Sequence, residues 1–426
     1  MKDYYKMNTS KERVIYGLSW FFLLVYTAFW LISSNIAKTA ETFFLICFIF
    51  YMPFIDISNK RYRLYLYLIT FFLVVQIYSH NQSLKIFPEL KESHFQHGRH
   101  YLKLFLSVVV AYWLQGSVAK ARALSFVAVT GFAISLLFRS SLDEWLLGLG
   151  GVRVGFDYVN IQHTAAFFGL SLIASLLWTV FNYTSKRYLL MVVSFILSVI
   201  FFAGITITQT RAVWLGLGFS LLAMAFIAIK NTLFKVNKLV VASIIIALPI
   251  VIGSKPIFEK RIALETNNIT AFIKGEKEDL SLDSAGIRVY MWVYAISKIK
   301  EKPWAGWGAE SRKVLLQDAN LPSEIKGKFD HFHNSYLELI VAYGFIGFFI
   351  ILLIGLQSIA GTIILLKKGY FYEGLGLLGA WMFFFIINFF ESYIIFSTAR
   401  FFFMIFGGIS LSFYLYRDKL PCYNRR

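Results

Sequence analysis

Two histidines lie immediately before a long apolar segment, in the stretch FDHFHNSYLELIVAYGFIG at residues 329–347. An unperturbed imidazole has a pKa of ~6.5 and accepts a proton at neutral pH, so His333 could act as a general base toward a hydroxyl group. The alternative is a loop histidine at a membrane interface with no chemical role. His331 lies two residues earlier, and the sequence leaves open which of the two would be the base.

The two polar residues that follow have structural as well as chemical interpretations. Asn334 either positions a sugar or caps the helix that begins after it, and capping is favoured because asparagine is a preferred N-cap residue. Glu338 lies one turn further into the apolar segment, where an unpaired carboxylate is costly. We therefore expect Glu338 to face the protein interior or a wet cavity, where it would orient His333 or pair with an arginine.

Two arginines are candidates for phosphate recognition, because the planar guanidinium group offers a fork of donors that fits a phosphate. Arg211 lies between two apolar segments in TQTRAVWLG, residues 208–216. Its alternative role is to reach lipid headgroups from a helix end. Arg288 lies in the first turn of a predicted helix, whose N-terminus already attracts anions. The alternative for Arg288 is a salt bridge to Asp283 or Glu310.

Three further histidines occur at intervals of three residues in SHFQHGRHYLK, residues 93–103. They are His94, His97 and His100. The spacing would place them on one helical face, as a metal site requires, but Arg99 and Lys103 would repel a cation. We therefore expect these histidines to contact phosphates or lipid headgroups. Arg139 and Arg153, in another predicted outward loop, are candidates for the same kind of contact.

The elements that carry these residues are predicted to span a membrane. Of the 426 residues, 58% are hydrophobic and 19% aromatic. A spanning helix needs ~20 mostly apolar residues, and backbone groups in lipid must be paired within the segment. We predict an all-α polytopic membrane protein with about twelve transmembrane helices. Their approximate bounds are 14–32, 39–57, 64–80, 101–118, 123–138, 161–182, 188–206, 212–229, 238–253, 335–357, 375–396 and 400–416.

The distribution of charge predicts the orientation. Alternate loops carry a large excess of Lys and Arg, which marks them as cytoplasmic and puts both termini inside. The net charge of +18 is then mostly a topology signal, so a nucleic-acid partner is not needed to explain it. Arg211, Arg288 and His333 all fall on the outer side, although they are far apart in the sequence.

One outward loop is large enough to fold outside the membrane. We predict a division into helices one to nine (1–253), a large outer loop (254–334), and helices ten to twelve with a short cytoplasmic tail (335–426). Within the loop, residues 283–300 show helical periodicity with Ser284 as a plausible N-cap, and residues 301–308 form a turn. We find no internal repeat, which weighs against a transporter built from repeated halves.

The motifs together resemble the O-antigen ligase and polymerase superfamily of bacterial membrane proteins over roughly residues 150–350. The residues that carry the resemblance occur in the family's order. They are Arg211 in T-x-T-R-A-x-W, Arg288 with Trp292, the Pro303–Gly306–Gly308 turn, H-N-S-Y-L-E with Gly344 and Gly347, and GFDYVNIQHTAAFFG at 155–169 with Asn160.

The resemblance implies a glycosyltransferase of the GT-C type that acts at the periplasmic face of the bacterial inner membrane. Its donor would be O-antigen carried on undecaprenyl pyrophosphate, its acceptor a sugar hydroxyl of lipid A–core, and its outcome inversion of the anomeric centre. Arg211 and Arg288 match the family's essential arginines, and His333 matches its essential histidine. No metal or other cofactor is implied, and the sequence contains no nucleotide-binding or zinc motif.

Two rival functions remain at the sequence level. A polymerase would transfer the chain to another carrier-linked unit, but the T-x-T-R-A-x-W and H-N-x-Y-L-E strings are more similar to those of ligases. A transporter or flippase for lipid-linked glycan would also explain the many spans. It would, however, place ionisable residues near the bilayer centre, and few charged residues of this sequence fall inside a predicted span.

Overall fold

The computed structural model describes residues 10–51, 60–158, 160–230, 284–318, 321–323 and 325–423. The regular elements within these ranges are all helical. The predicted span at 238–253 and the beginning of the predicted large loop lie outside the described residues. The predicted three-part division of the chain stays a prediction.

The helices follow the apolar segments of the sequence. Their bounds are α1 (Ser10–Phe29), α2 (Ser34–Tyr51), α3 (Lys60–Leu84), α4 (Lys91–Leu102), α5 (Leu106–Leu114), α6 (Val118–Arg139), α7 (Leu142–Leu149), α8 (Ile161–Thr184), α9 (Tyr188–Thr208), α10 (Arg211–Lys230), α11 (Ser284–Glu301), α12 (Ser311–Leu315), α13 (Ser335–Lys367), α14 (Phe371–Ile387), α15 (Ser397–Phe402) and α16 (Gly408–Leu415). A π-helical turn joins α15 to α16, so residues 397–415 form one rod.

The protein is an all-α, multi-pass membrane protein. Within the described ranges, seven helices are long and apolar enough to cross a bilayer: α3, α6, α8, α9, α10, α13 and the 397–415 rod. Helices α1, α2, α5 and α14 occupy positions where spans are predicted, but they are shorter or less apolar. The count of twelve spans therefore stays a prediction.

Two predicted spans are interrupted or shortened in the structure, and the predicted span at 335–357 extends to Lys367. The predicted span at 101–118 is interrupted, because α4 ends at Leu102 and a 3₁₀ turn precedes the nine-residue α5. The predicted span at 375–396 ends early, because α14 stops at Ile387. Residues 388–396 are consequently a loop followed by a short 3₁₀ turn, and this loop contributes to the candidate site described below.

Helices α10 and α14 pack antiparallel through glycines. A Cβ on Gly216 would lie 2.9 Å from the Phe383 ring and 3.1 Å from the Ile387 side chain, and a Cβ on Gly379 would approach the Met224 side chain still more closely. Close approach of this kind is typical of membrane helix interfaces that contain small residues. The N-terminus of α10 therefore lies at the same end of the bundle as the C-terminus of α14.

Helix α13 is broken at Gly344, which has φ 64° and ψ −171°. The turn after α11 fills the break: Trp307 N–H donates to Val341 O at 2.7 Å, and Phe345 N–H donates to Pro303 O at 2.7 Å. Non-helical backbone at membrane depth persists only where the protein satisfies its polar groups. The sequence predicts a turn at 301–308, but not that this turn completes an interrupted helix.

Helix α11 is fixed over the loop that carries the two histidines. It begins with Ser284 as its first helical residue rather than its cap, and it ends before Pro303 as the sequence predicts. The fully buried Met291 belongs to a small core with Phe332 and Val341. This core holds α11 against both the histidine loop and α13.

Candidate active site

His331 and His333 are held in an unusual local conformation. His333 has φ 50°, in the left-handed region that non-glycine residues seldom adopt. The two imidazole rings consequently approach to 4.0 Å between centroids, and His333 N–H donates to His331 Nδ1 at 3.3 Å. Such a conformation costs on the order of 1–3 kcal/mol and tends to persist at functional sites.

The carboxylate of Glu391 lies against both rings. Its Oε1 is 3.3 Å from Nδ1 of His333 and 3.6 Å from Nδ1 of His331, and the residue is fully buried. Burial alone would raise the pKa of Glu391, but the hydrogen bond from His333 and the nearby imidazoles outweigh it and hold that pKa at about 2. The carboxylate is therefore ionised at neutral pH.

The imidazole of His331 stays neutral at neutral pH. Burial, reinforced by the neighbouring His333, lowers the pKa of His331 to about 4. The group formed by His331, His333 and Glu391 is here called the His–Glu cluster. Its buried carboxylate charge on Glu391 can be stabilised by a nearby cation.

Arg288 supplies positive charge beside this cluster. Burial lowers the pKa of its guanidinium, and the charge of Glu391 opposes that shift. One turn later, Trp292 Nε1–H donates to Phe332 O at 3.0 Å, which ties α11 to the histidine loop. Of the two salt-bridge partners predicted as alternatives, Asp283 lies outside the described residues. The other, Glu310, pairs instead with His97, Arg312 and Lys313.

The side chain of Glu338 binds the backbone of the loop that carries the two histidines. Its buried carboxylate accepts hydrogen bonds from Phe332 N–H and from Ser392 Oγ–H, the latter at 3.0 Å, and lies 4.0 Å from Arg312 Nε. Of the alternatives predicted for Glu338, the structure shows the interior position and the arginine partner. Its contact with the histidine loop is to the backbone next to His333 rather than to the imidazole.

The two asparagines cap helices. Asn334 Oδ1 accepts from Tyr336 N–H at 3.0 Å and from Leu337 N–H at 3.1 Å, so the favoured capping interpretation is confirmed. Asn160 Oδ1 accepts from Gln162 N–H at 2.8 Å. Tyr393 joins this second cap region to the loop after α14, because its hydroxyl donates to Gln162 O at 3.0 Å.

Arg211 and Arg153 lie in neighbouring backbone segments. Arg211 is the first residue of α10, and the antiparallel packing of α10 on α14 places it at the end of the bundle where Glu391 lies. Arg153 Nε–H donates to Thr208 O at 3.1 Å, within the T-x-T-R motif. Arg288 thus interacts electrostatically with Glu391 of the His–Glu cluster, whereas helix packing places Arg211 at the same end of the bundle.

Two of the histidines of α4, His94 and His97, do not fit their predicted contact with phosphates or headgroups. His94 is buried at 1% exposure, accepts from Glu310 N–H at 3.2 Å and contacts Ser83 Oγ at 2.8 Å. His97 lies 2.9 Å from the Glu310 carboxylate. These side chains are therefore part of the contact between α4 and the segment before α12. Arg139 also has protein partners: its guanidinium donates a hydrogen bond to Leu31 O and forms an ion pair with Asp157.

Sequence reasoning missed three residues that build the site: Glu391, Ser392 and Arg312. Glu391 lies inside a predicted span, FFESY at 389–393. An isolated carboxylate in an apolar segment is costly in lipid and signals a functional or paired group. The sequence therefore contains a sign that Glu391 is functional or paired, but the predicted span places this residue in a helix rather than in the loop beside His333.

The fold and the site together describe a multi-pass helical membrane protein with a buried glutamate against a partly buried histidine, an adjacent arginine and a further arginine at the same end of the bundle. Residues 196–352 match the family model described as O-antigen ligase. The matched region contains Arg211, Arg288 and His333, and Glu391 lies beyond it. No curated protein matches the chain.

The chain therefore contains an O-antigen ligase family domain, and the resemblance to the O-antigen ligase and polymerase superfamily is confirmed. The family indicates O-antigen ligase or polymerase activity of a glycosyltransferase-like enzyme that uses lipid-linked substrates.

Proposed function

We propose that the protein transfers O-antigen polysaccharide from undecaprenyl pyrophosphate to a sugar hydroxyl of lipid A–core, at the periplasmic face of the bacterial inner membrane. The observation that carries this proposal is the contact between Glu391 and His333, with Arg288 beside it, in a chain whose family domain is that of O-antigen ligases. Glycan transfer from a pyrophosphate donor requires a base and an anion-binding group in one site.

His333 is the proposed general base. Glu391 faces its Nδ1, so the neutral ring carries its proton on Nδ1 and donates it to the carboxylate. Nε2 is then free of a proton and accepts one from the attacking hydroxyl. The ionised Glu391 also stabilises the imidazolium that forms, in the manner of acid–histidine pairs in other enzymes.

Arg288 and Arg211 are the proposed groups for the leaving pyrophosphate. Breaking the glycosidic bond concentrates negative charge on the phosphate oxygens, and preorganised guanidinium groups stabilise that charge most in the transition state. The acceptor attacks from the opposite face and inverts the anomeric centre. Holding both lipids in one membrane plane supplies the proximity of donor and acceptor.

The remaining parts of the proposal concern architecture and supporting residues. We propose a GT-C-type arrangement with both termini in the cytoplasm and membrane lipids around the helices. The reaction needs no metal or nucleotide, because the donor already carries an activated bond. Asn334, Glu338, Asn160 and Arg153 act through the backbone segments that they cap or bind, and His331 fixes the backbone of His333.

The alternative is an O-antigen polymerase that uses a second carrier-linked unit as the acceptor, and the family includes both activities. The chemistry at the His–Glu cluster would be the same, and only the acceptor would differ. A transporter or flippase for lipid-linked glycan is less favoured, because it gives no role to a His–Glu pair.

The test is transfer by purified protein, without ATP, from carrier-linked glycan to each of two acceptors in parallel: lipid A–core and a carrier-linked single unit. The proposal predicts product on lipid A–core. Product only on the carrier-linked unit would identify a polymerase, and flipping without transfer would identify a transporter. In cells, loss of the ligase leaves bare core with polymer on the carrier, whereas loss of the polymerase leaves core with a single unit.

A further inference from the structure

Within the described residues, His331, His333 and Glu391 are the group of metal-binding side chains whose ligand atoms converge, all within 4.8 Å of one another. For tetrahedral Zn²⁺, bond lengths of about 2.0–2.2 Å place neighbouring ligand atoms roughly 3.3–3.6 Å apart. The two imidazole Nδ1 atoms lie 3.3 Å and 3.6 Å from the same carboxylate oxygen of Glu391. The two nitrogen–oxygen edges of the cluster therefore already have the lengths that a bound ion requires.

We propose that His331, His333 and Glu391 bind a divalent transition-metal ion, with Zn²⁺ the best match, and that the bound ion inhibits the enzyme. Two imidazoles and one carboxylate form a ligand set that suits zinc and leaves a fourth position for water or substrate. The backbone conformation at His333, with φ 50°, is what brings both rings to one side of the carboxylate.

Two existing contacts would be replaced when the ion binds. They are the hydrogen bond between His333 and Glu391 and the bond of 3.3 Å from His333 N–H to His331 Nδ1. Arg288 lies within electrostatic range of Glu391 and repels the incoming cation. We therefore expect the ion to bind more weakly than at structural zinc sites.

A second set of the same residue types provides an internal comparison. His97 lies 2.9 Å from the Glu310 carboxylate, and the rings of His97 and His100 are 5.3 Å apart between centroids. Glu310, however, is already paired with Arg312 at 3.2 Å and Lys313 at 2.6 Å. Those two cations leave no net negative charge for a metal, so this set is a matched control.

The ion would inhibit the enzyme because it occupies Nδ1 of the His333 ring. This part of the inference rests on the proposed function. A metal on Nδ1 of His333 takes the place of the proton that is donated to Glu391. The neutral ring then carries its proton on Nε2, where it cannot accept one from the acceptor hydroxyl. The ion also neutralises the carboxylate that stabilises the imidazolium.

Metal binding is tested on the purified full-length protein in detergent, produced without a histidine tag and treated with a chelator. Co²⁺ is titrated first, because its visible absorption reports four-coordinate nitrogen and oxygen ligation, and Zn²⁺ is then used to displace it. We expect one ion per chain. Absence of stoichiometric Co²⁺ or Zn²⁺ binding by the wild-type protein would overturn the proposal, whatever the variants do.

The variants assign the ligands. His331→Ala and Glu391→Gln should weaken Zn²⁺ binding by more than the roughly 10–100-fold that loss of an outer-shell partner causes, whereas His97→Ala should bind as the wild type does. Unchanged affinity in both ligand variants would place the ion elsewhere. If His331→Ala does not elute as a folded protein, the conservative His331→Gln replaces it in the same titration.

Inhibition is measured separately, as glycan transfer with and without Zn²⁺, and should be reversed by a chelator. Metal binding without any transfer activity would contradict the proposed function and leave the metal site standing. Transfer that is insensitive to saturating Zn²⁺, in a protein shown to bind it, would overturn the inhibitory role.

Discussion

Glu391 Oε1 lies 3.3 Å from Nδ1 of His333, although 58 residues separate the two in the sequence. Two hydrogen bonds join their segments. Ser335 N–H donates to the backbone oxygen of Asn388 at 2.9 Å, and Asn334 N–H donates to the side-chain Oγ of Ser392 at 3.0 Å. The loop after α14 and the start of α13 therefore form one unit, in which the carboxylate has a fixed position relative to the imidazole.

The first prediction concerns the carboxylate. Glu391→Gln keeps the size of the side chain, but its amide can donate to Nδ1 and so stabilise the tautomer that carries the proton on Nε2. We expect a fall of roughly 100-fold or more in kcat for glycan transfer, with little change in KM. Glu373→Gln, which removes the partner of Arg122 at a distant ion pair, is the control. Wild-type kcat in Glu391→Gln would show that the contact has no catalytic role.

The second prediction concerns the two arginines. Arg288→Lys and Arg211→Lys retain charge but lose the planar fork, so neither should restore normal transfer. Each should lower kcat/KM by about 10–100-fold, as expected for loss of charged hydrogen bonds. Arg122→Lys provides a control at an arginine that is paired with Glu373. Normal kcat/KM in both lysine variants at equal protein levels would remove the arginines from the site.

The third prediction concerns the break in α13. A Cβ on Gly344 would lie 2.2 Å from the backbone of Trp304, and the residue has φ 64°. Gly344→Ala should therefore lower the free energy of unfolding by about 2 kcal/mol or more. Gly355→Ala in the same helix meets its nearest atom at 3.9 Å and is the matched control. Equal thermal unfolding midpoints for the two variants in detergent would contradict the structure of the break.

The fourth prediction concerns pH and the buried His94. Burial is the main cause that lowers the pKa of His94 to about 4. The unfolded chain binds a proton near pH 6.5, whereas the folded protein does not until about pH 4, so stability should fall as pH decreases between these values. The contribution is on the order of 1–3 kcal/mol. Thermal unfolding midpoints between pH 7 and 4.5 should fall more steeply for the wild type than for His94→Asn. Parallel slopes would contradict this assignment.

Much of the fold follows from local sequence. The apolar segments predict the helices, Pro303 predicts the end of α11, and Asn334 predicts a helix cap, because each depends on neighbours within a few residues. The placement of Glu338 in the interior follows from the cost of an unpaired carboxylate in lipid.

The rest depends on contacts between distant segments. The break at Gly344 requires the turn at 303–308 to supply backbone partners. The apolar segment that forms α13 looks like one continuous helix in the sequence, so it does not predict the break. Glu391 joins the site only because α14 ends at Ile387, four residues before it. The sequence places Arg211, Arg288 and His333 on one side of the membrane, but it does not reveal the carboxylate that faces His333.

The most direct test of the account is the initial rate of glycan transfer to lipid A–core by purified His333→Ala, at saturating carrier-linked donor and with His97→Ala as the matched histidine control. We predict a rate reduced by roughly 10²–10⁴-fold in His333→Ala, the range that a general base contributes, and a wild-type rate in the control. A wild-type rate in His333→Ala, in protein that is folded and binds the donor, would contradict it.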